Sequence, residues 1–527
     1  MKGDSSSSFL VLRMTAYRME CHSEQSEESH LSVALPPTIL YVDNVPFHAG
    51  VPHCWNQPGT DTLYLEYTMK KFTRTISGVT PVAVMTSPMN CPGRCVYCPT
   101  FLDTPQSYTP TSPAVLRAIQ CDYNGADQVT LRMKVLSEMG HPTDKIELII
   151  MGGTFLAYPE EYQYSFIKDC YDALNGVVSS TLEEAKQINE TAVHRCTGLC
   201  IETRPDWCGQ KEVDRMLEFG ATRVELGVQT LDDDIYRLVR RGHTVEDVVT
   251  ATRLLKEYAF KVHYHWMPGL PGSSPEKDLE MSRQLFADTR FRPDGLKIYP
   301  TMVIEGTEME KWYKEGRYIP YPEDVMIDLI AEIKAVVPDY VRISRVLRDI
   351  PANYIVGGLR DSLRTTVRRK LEEQGRACRC IRCREYGHRV RNGREPGEPK
   401  LSREDYEASG GKEIFLSYID DNETLFGLLR LRIQADTVNR LGQGKGGNTA
   451  LVRELHVYGP EVPLKEQNPE SAQHRGFGKA LLAEAERIAR EEYHAPGILV
   501  LSGTGARDYY RTESGYTLDG HYMSKGL

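Results

Sequence analysis

The sequence predicts an α/β protein: a partial parallel barrel of six βα units, then a smaller α/β domain, with a short basic cysteine-rich segment between them. Three observations carry this expectation. Short β-branched runs alternate with amphipathic stretches from about 80 to 345, residues 364 to 400 turn strongly basic, and strands with one strong helix follow from 401. At 527 residues the chain is too long for a single core. The reading divides it into a weakly ordered extension (1–68), a barrel (69–360), a linker (361–400) and a carboxy-terminal domain (401–527).

The extension holds "GDSSSSF" and "HSEQSEESH", Ser/Glu-rich text with no sustained period of 2 or 3.6. Met69 opens a more structured text and is itself a candidate translation start. The six strand candidates are "PVAVMTS", "KIELIIMGG", "TGLCIET", "TRVELGVQ", "KVHYHWMPG" and "GLKIYPT". They end in Gly152 and Gly153, Glu202 and Arg204, Gln229, Pro268 and Gly269, Lys297 and Tyr299. In a parallel barrel the carboxyl ends of the strands form the active face. In the last domain "EIFLSYID", "LFGLLRLRI", "LVRELHVY" and "GILVLSG" read as strands and 478–492 as a helix.

Thirteen cysteines fall in two tight groups plus singles, an odd total without the spacing of a disulfide framework. No apolar run approaches the ~20 residues of a bilayer crossing, and no signal peptide opens the chain. A reducing cytoplasm, no membrane and metal-binding thiols are therefore expected. The net charge of −9 argues against a uniformly basic nucleic-acid binder. It hides a local patch: residues 364–400 carry twelve Lys/Arg against five Glu.

"MNCPGRCVYCP" places Cys91, Cys95 and Cys98 at C-x3-C-x2-C spacing just after the first strand run. Three thiolates on a loop converge on one metal centre, and for a 4Fe-4S cluster three ligands leave one iron open. A zinc knuckle is the alternative. The spacing resembles that of radical S-adenosylmethionine (SAM) enzymes, in which the open iron takes the cofactor's amino and carboxylate groups. That resemblance implies that Gly152 and Gly153, in "MGGT", lie against the cofactor's amino group. Glu202, Arg204 and Gln229 stand at strand ends where they can hold its ribose or carboxylate, or form salt bridges of the barrel rim.

"QHRGFGKALL" sets Gln473, Arg475, Gly476, Phe477, Gly478 and Lys479 at the start of a strongly helical run, where backbone N–H groups and the helix dipole suit a pyrophosphate. The Q-x-x-G-x-G form resembles the loop of the GNAT acetyltransferases. That family implies that Glu454, Leu455, His456 and Val457 line a thioester channel and that Tyr509 or Tyr510 sits near the sulfur. Glu454 and His456 lie two apart on a strand, so either can act as a base or as a structural hydrogen-bonder.

"CRCIRC" brings Cys378, Cys380 and Cys383 together, a closed zinc site if a fourth ligand joins them: His388, His194 or Cys196. The surrounding Arg368, Arg369, Arg376, Arg379, Arg382 and Arg384 would present guanidinium groups to phosphates, extended by Arg342, Arg345, Arg348, Lys70, Lys71 and Arg74. The alternative is a solvated basic linker with free thiols.

From about Met69 to Leu527 the chain resembles the Elongator catalytic-subunit family in its single-protein form, through "CPGRCVYCP", "MGGTF", "IETRPDWC", "ELGVQT", "RRGHT", "DGLKIYPT", "RDIPA", "LLRLR", "VRELHVYG" and "QHRGFGKALL". The resemblance implies a radical SAM barrel joined to a GNAT domain, forming 5-carboxymethyluridine at the wobble position of tRNA. It implies a 4Fe-4S cluster, SAM, acetyl-CoA as co-substrate, zinc, an electron donor and the tRNA anticodon loop as partner, without accessory subunits. Lys145 matches a family lysine associated with acetyl-CoA. Two competing readings are a protein lysine acetyltransferase with a structural cluster, and a radical enzyme acting on a small metabolite.

Overall fold

The computed structural model describes residues 75–359, 363–434, 448–459 and 476–527. The extension 1–68, Lys70, Lys71, Arg74, Gln473 and Arg475 lie outside them. All six strand candidates form: β1 (Thr80–Met85), β2 (Lys145–Met151), β3 (Arg195–Thr203), β4 (Arg223–Gln229), β5 (Lys261–Trp266) and β6 (Gly295–Ile298). They pair in sequence order, all parallel, with helices between them. A seventh parallel strand, β7 (Arg342–Val346), extends the sheet beyond β6. Its text, "RISRV", entered the sequence reading only as basic residues. The helices begin where side chains satisfy the first free N–H groups: Asn124, Thr181, Thr244 and Ser274 each accept from a backbone nitrogen three residues on.

The second domain is a seven-stranded sheet of β8 (Lys400–Ala408), β9 (Gly411–Ile419), β10 (Leu425–Gln434), β11 (Thr449–Val457), β12 (Gly497–Val500), β13 (Thr517–Asp519) and β14 (Tyr522–Gly526). Its order is β8-β9-β10-β11-β12-β14-β13, antiparallel except for the β11–β12 pair. The helix Phe477–Glu491 packs on it through Leu481, Leu482, Ala485, Ile488 and Ala489. Strand β8 was not read from the sequence because its outer face is exposed and polar, as befits an edge.

Strand β11 positions everything that follows. It pairs with β10 as far as Val457, opposite Gly427, but with β12 only over Ala450–Val452. Beyond Val452 the two parallel strands splay, and Glu454, Leu455 and His456 line the opening. The register slips between Arg430, opposite Glu454, and Leu431, opposite Val452, so Arg453 is an unpaired bulge residue.

Arg453 uses that freedom to cross to the barrel. Its guanidinium donates to both oxygens of Asp294 at 2.7 and 2.8 Å, to the Phe260 carbonyl at 2.8 Å and to Glu413 at 2.9 Å. Asp294 directly precedes β6 and accepts the Val262 N–H at 2.8 Å. The second sheet therefore sits on the amino ends of the barrel strands. Nearby, a β-carbon on Gly503 would lie 2.2 Å from the Thr197 carbonyl oxygen, so this backbone contact admits only glycine. The apolar core runs across the junction, joining barrel residues such as Val82 and Leu226 to Phe415, Leu428 and Leu499.

Burial opposes the charge on Asp294, yet Arg453, Lys256 and Arg430 hold its carboxyl well below the usual range. A lowered folded-state pKa stabilises the protein fully above the free-aspartate value of about 4. That contribution is lost as pH falls through the folded value. Asp294→Asn should cost about 3–5 kcal/mol by leaving Arg453 without its counter-charge. Thermal denaturation will check the loss, which should begin to shrink relative to wild type below about pH 4 and vanish only below the lower folded-state value.

Candidate functional site

The three thiols of the first cluster line one cavity of about 120 Å³ at the carboxyl ends of the strands, with Gly153, Glu202, Arg204, Gln229 and His265. Donors surround the sulfurs. Gln106 Nε2 lies 3.2 Å from Cys98 Sγ, Arg241 Nη1 3.4 Å from Cys95 Sγ, and the Gly93 N–H 3.4 Å from Cys91 Sγ. Thr154 Oγ1 stands 3.4 Å from Cys91 Sγ. Burial, with Cys95 adding to it, pushes the Cys98 thiol up to about 11. Cys98 thus resists ionisation, and cationic iron is what such a thiol needs to become thiolate.

Two backbone features shape the cavity. Gly152 has φ +132°, and a β-carbon there would lie 1.9 Å from Thr86 Oγ1, so the strand end is confined to glycine. Gln229 holds φ 76° without being glycine, a strain of about 1–3 kcal/mol that the surroundings must offset. Its Oε1 and Arg204 Nη1 are buried without a hydrogen-bond partner, two polar atoms facing the cavity that want a polar ligand. Arg204 is otherwise fixed by Asp206 at 2.9 and 2.7 Å. The residues fit a three-thiolate cluster and a zwitterionic cofactor. Arg241 and Gln106 escaped the sequence reading as sulfur neighbours; Arg241 lies within the quoted string "RRGHT", but nothing local says where its side chain goes.

Below the thiols the lumen is charged. Lys297 Nζ lies 2.9 Å from Glu202 Oε1 and also pairs with Glu225, which is 3.1 Å from His265 Nε2. Glu202, Glu225 and His265 have the spacing of a metal site, and the Lys297 ammonium already pairs with both of its carboxylates. Burial would raise the Glu225 carboxyl, but Lys297, His265 and Arg223 outweigh it and hold it well below the ordinary range. Glu202, expected at a cofactor's ribose, is thus also a partner of Lys297.

At the opposite end, the splay between β11 and β12 opens a second cavity of about 110 Å³. Its lining combines Glu454, Leu455, His456 and Tyr510 with Glu147, Thr197, Gly198, Arg223 and Lys261 from the amino ends of the barrel strands. Glu454 is paired with Lys261 and Arg430, each at 2.7 Å, which hold it far below the carboxylate range and unsuited to take a proton. His456 Nε2 lies 2.6 Å from the Ser77 carbonyl and the ring stacks on Tyr458. Burial lowers its pKa, so it is a neutral imidazole anchored to backbone.

Gly476 has φ 83° and starts the helix Phe477–Glu491, whose first turn holds no acidic residue, an arrangement open to a pyrophosphate. A β-carbon on Gly478 would lie 3.1 Å from Tyr509 Oη and 3.7 Å from Val457, which puts that tyrosine over the helix start while Tyr510 turns into the splay. Phe477 packs against Tyr418, and Lys479 pairs with Glu513 on the surface. Lys145 begins β2 opposite Arg195, the strand end on which Gly505 rests.

The sulfurs of Cys378, Cys380 and Cys383 lie within 4.8 Å of one another, a set that fits zinc. The suggested fourth ligands are engaged elsewhere. His388 Nε2 is 3.0 Å from Glu385, His194 Nδ1 2.8 Å from the Thr143 carbonyl, and Cys196 is buried beside Gly198. The basic patch also changes character. Arg384 is buried and donates to the Arg379 and Asp339 carbonyls, and Arg342 pairs with buried Glu385 at 2.6 Å. Arg379 is shared by Asp339 and Glu423, Arg376 pairs with Glu332, and Arg345 with Asp349. Arg348 donates to Ser107, and half-buried Arg382 lies near Arg364 and Arg342. Arg345, Arg368, Arg369, Arg376 and Arg379 remain exposed, and all of these but Arg369 lie beside a carboxylate. The segment joins buried ion pairs to an exposed basic face.

Residues 85–285 match the model of the radical SAM superfamily, and 293–373 that of the radical SAM C-terminal domain. The chain is 67% identical over 459 residues to the tRNA uridine(34) acetyltransferase of Dehalococcoides mccartyi, covering 87% of this chain and all of that protein. It is 52% identical to the protein of the same name from Methanocaldococcus jannaschii, over 87% of this chain and 86% of that one. Human Elongator complex protein 3 is 44% identical, over 86% and 85% of the two chains. The structure of archaeal Methanocaldococcus infernus Elp3, lacking its N-terminus, superposes with a TM-score of 0.75 at 48% identity, covering 86% of this chain and 100% of that one. The chain belongs to the radical SAM superfamily and, within it, to the family of tRNA uridine(34) acetyltransferases and Elongator complex protein 3.

Replacing Arg241 by Met should leave iron content unchanged but lower the potential of the reconstituted cluster, since a charged donor to sulfur favours the reduced form. Redox titration followed by electron paramagnetic resonance will read this. Cys380→Ser should abolish zinc binding while iron stays at its wild-type ratio, as measured by elemental analysis.

Proposed function

We propose that this chain is a tRNA-modifying enzyme that forms 5-carboxymethyluridine at the wobble uridine, with acetyl-CoA as acetyl source and SAM as radical source. The observation that carries the reading is the arrangement of two sites on one barrel. The thiol cavity occupies the carboxyl ends of the strands, and the thioester splay opens onto their amino ends. Its closest support is the kinship with proteins named for uridine(34) of tRNA.

When bound, the cluster supplies one electron to SAM through its open iron. Cys91, Cys95 and Cys98 would hold it, with Arg241 and Gln106 biasing the sulfurs. Gly152, Gly153, Arg204 and Gln229 would receive the cofactor's polar groups. Gly476, Gly478 and the amino end of their helix would take the pyrophosphate of acetyl-CoA, as would Gln473 and Arg475. Glu454 to Val457 and Tyr510 would guide the pantetheine arm, while Tyr509 closes over the helix start. Lys145 stands at the same junction. Cys378, Cys380 and Cys383 would bind zinc and brace the linker. The electron donor is an outside protein or small reductant, and tRNA the macromolecular partner.

A protein lysine acceptor is disfavoured by the same geometry. In the open splay of an acetyltransferase the acceptor approaches the thioester from outside; here Thr197, Gly198, Arg223 and Lys261 stand across that opening. Attack by an amine also needs a base, and Glu454 is held ionised by two cations. Carbon 5 of uracil is a poor nucleophile toward a thioester, which makes a radical route chemically sensible. A wobble base is unstacked and easily presented.

Purified enzyme given tRNA, acetyl-CoA, SAM and a reductant should yield carboxymethylated wobble uridine by nucleoside mass spectrometry. Cys95→Ala should remove the product; product at the wild-type level would sink the radical mechanism. Gly478→Val, which drives a side chain against Tyr509, should abolish acetyl-CoA binding while 5′-deoxyadenosine release from SAM stays within about twofold.

A further inference from the structure

The lumen between the two cavities is filled in an unusual way. Parallel barrels ordinarily pack this space with layers of Val, Ile and Leu. Here the inward positions of β4 are Arg223, Glu225, Gly227 and Gln229, and those of β5 are Lys261, His263 and His265. Glu147 comes from β2, Glu202 from β3 and Lys297 from β6. Burying so many charges is expensive, and a hydrophobic lumen would be at least as stable.

These side chains form an unbroken column. Glu454 of the splay meets Lys261 at 2.7 Å, and Glu147 next to it pairs with Arg223. Arg223 Nε is 3.4 Å from Glu225, and Glu225 meets His265 and Lys297, which reaches Glu202 below the thiols. Arg223 lines the lower cavity and Glu225, two residues on, the upper one. A single layer of side chains thus separates them. From Arg223 to Gly227 the distance along the strand is about 13 Å at the usual rise. On β3 the inward position Gly198 adds no side chain to this layer; a β-carbon there would meet Thr222 and Glu147 at ordinary contact distances of 3.5 and 3.9 Å.

We infer that the barrel lumen is the passage through which the acetyl thioester, entering at the β11–β12 splay, reaches the thiol face, and that the Arg223–Glu147 pair is its gate. The inference rests on the proposed function, which needs one acetyl group to serve two sites. Both gate residues have a second opposite charge within reach: Arg223 keeps Glu225, and Glu147 lies in the field of Lys261 and Arg342. Parting them therefore strands neither charge. The guanidinium and ammonium groups along the way offer donors to a thioester carbonyl, which a hydrocarbon lumen would not.

Cys200 tests the passage: on β3 between Gly198 and Glu202, it is fully buried beside Arg223, Glu225 and Lys297 and lines neither cavity. Three quantities are measured for wild type, Cys200→Ala, Cys200→Val and Cys200→Leu: acetyl-CoA affinity by calorimetry, 5′-deoxyadenosine from SAM, and carboxymethyluridine in tRNA. The leucine variant should bind acetyl-CoA within about threefold of wild type and release 5′-deoxyadenosine within about twofold, yet form product at least about tenfold more slowly, with Val between and Ala at the wild-type rate. If Leu does not fold by circular dichroism, Val carries the same comparison. Wild-type product from the bulkiest folded variant would overturn the passage, and so would loss of acetyl-CoA binding in step with product. A wild-type enzyme that binds both small molecules but never modifies tRNA would overturn the proposed function instead.

Discussion

One buried ion pair organises this molecule. Arg453 and Asp294, both fully enclosed, are 159 residues apart in sequence and meet through two hydrogen bonds. Such a pair is costly to bury, and it persists only when further donors and acceptors complete it. Glu413, the Phe260 carbonyl and the Val262 N–H do so. The bulge that frees Arg453 to reach the barrel is the same irregularity that ends the β11–β12 ladder. Attachment of the second domain and opening of the cavity beside it thus meet at one extra residue.

Charge balance inside the barrel follows a similar logic. The acids Glu147, Glu202 and Glu225 alternate with Arg223, Lys261 and Lys297, so each charge has an opposite neighbour. His263, packed beside Arg223, is kept neutral, first by burial and then by that cation. The protein's overall charge of −9 says nothing of this interior order. At the cluster, by contrast, Arg241 is aimed at sulfur, where extra negative charge is to be housed.

Much of this was legible from local text. Six strands announced themselves by β-branched runs ending in glycine or polar residues, and both cysteine groups and the Gly-x-Gly loop were visible by spacing alone. Strand β7 was obscured because the arginines of "RISRV" read as a patch; in the fold Arg342 turns onto Glu385. The linker kept its ion pairs hidden for the same reason. A run of arginines looks solvated until its carboxylate partners, from Asp339 to Glu423, are brought in by folding. What no periodicity encodes is which residues meet across 100 or more positions, and the docking, the lumen column and the donors around the thiols are all of that kind.

The backbone contact of Gly503 on Thr197 carries a consequence for how such a protein can change over generations. Two halves that touch through bare main chain, around a shared arginine, are not interchangeable parts. A foreign acetyltransferase domain grafted after the barrel would bring a side chain to the seam and leave Asp294 facing nothing. A change on either side of this seam therefore has to be matched on the other.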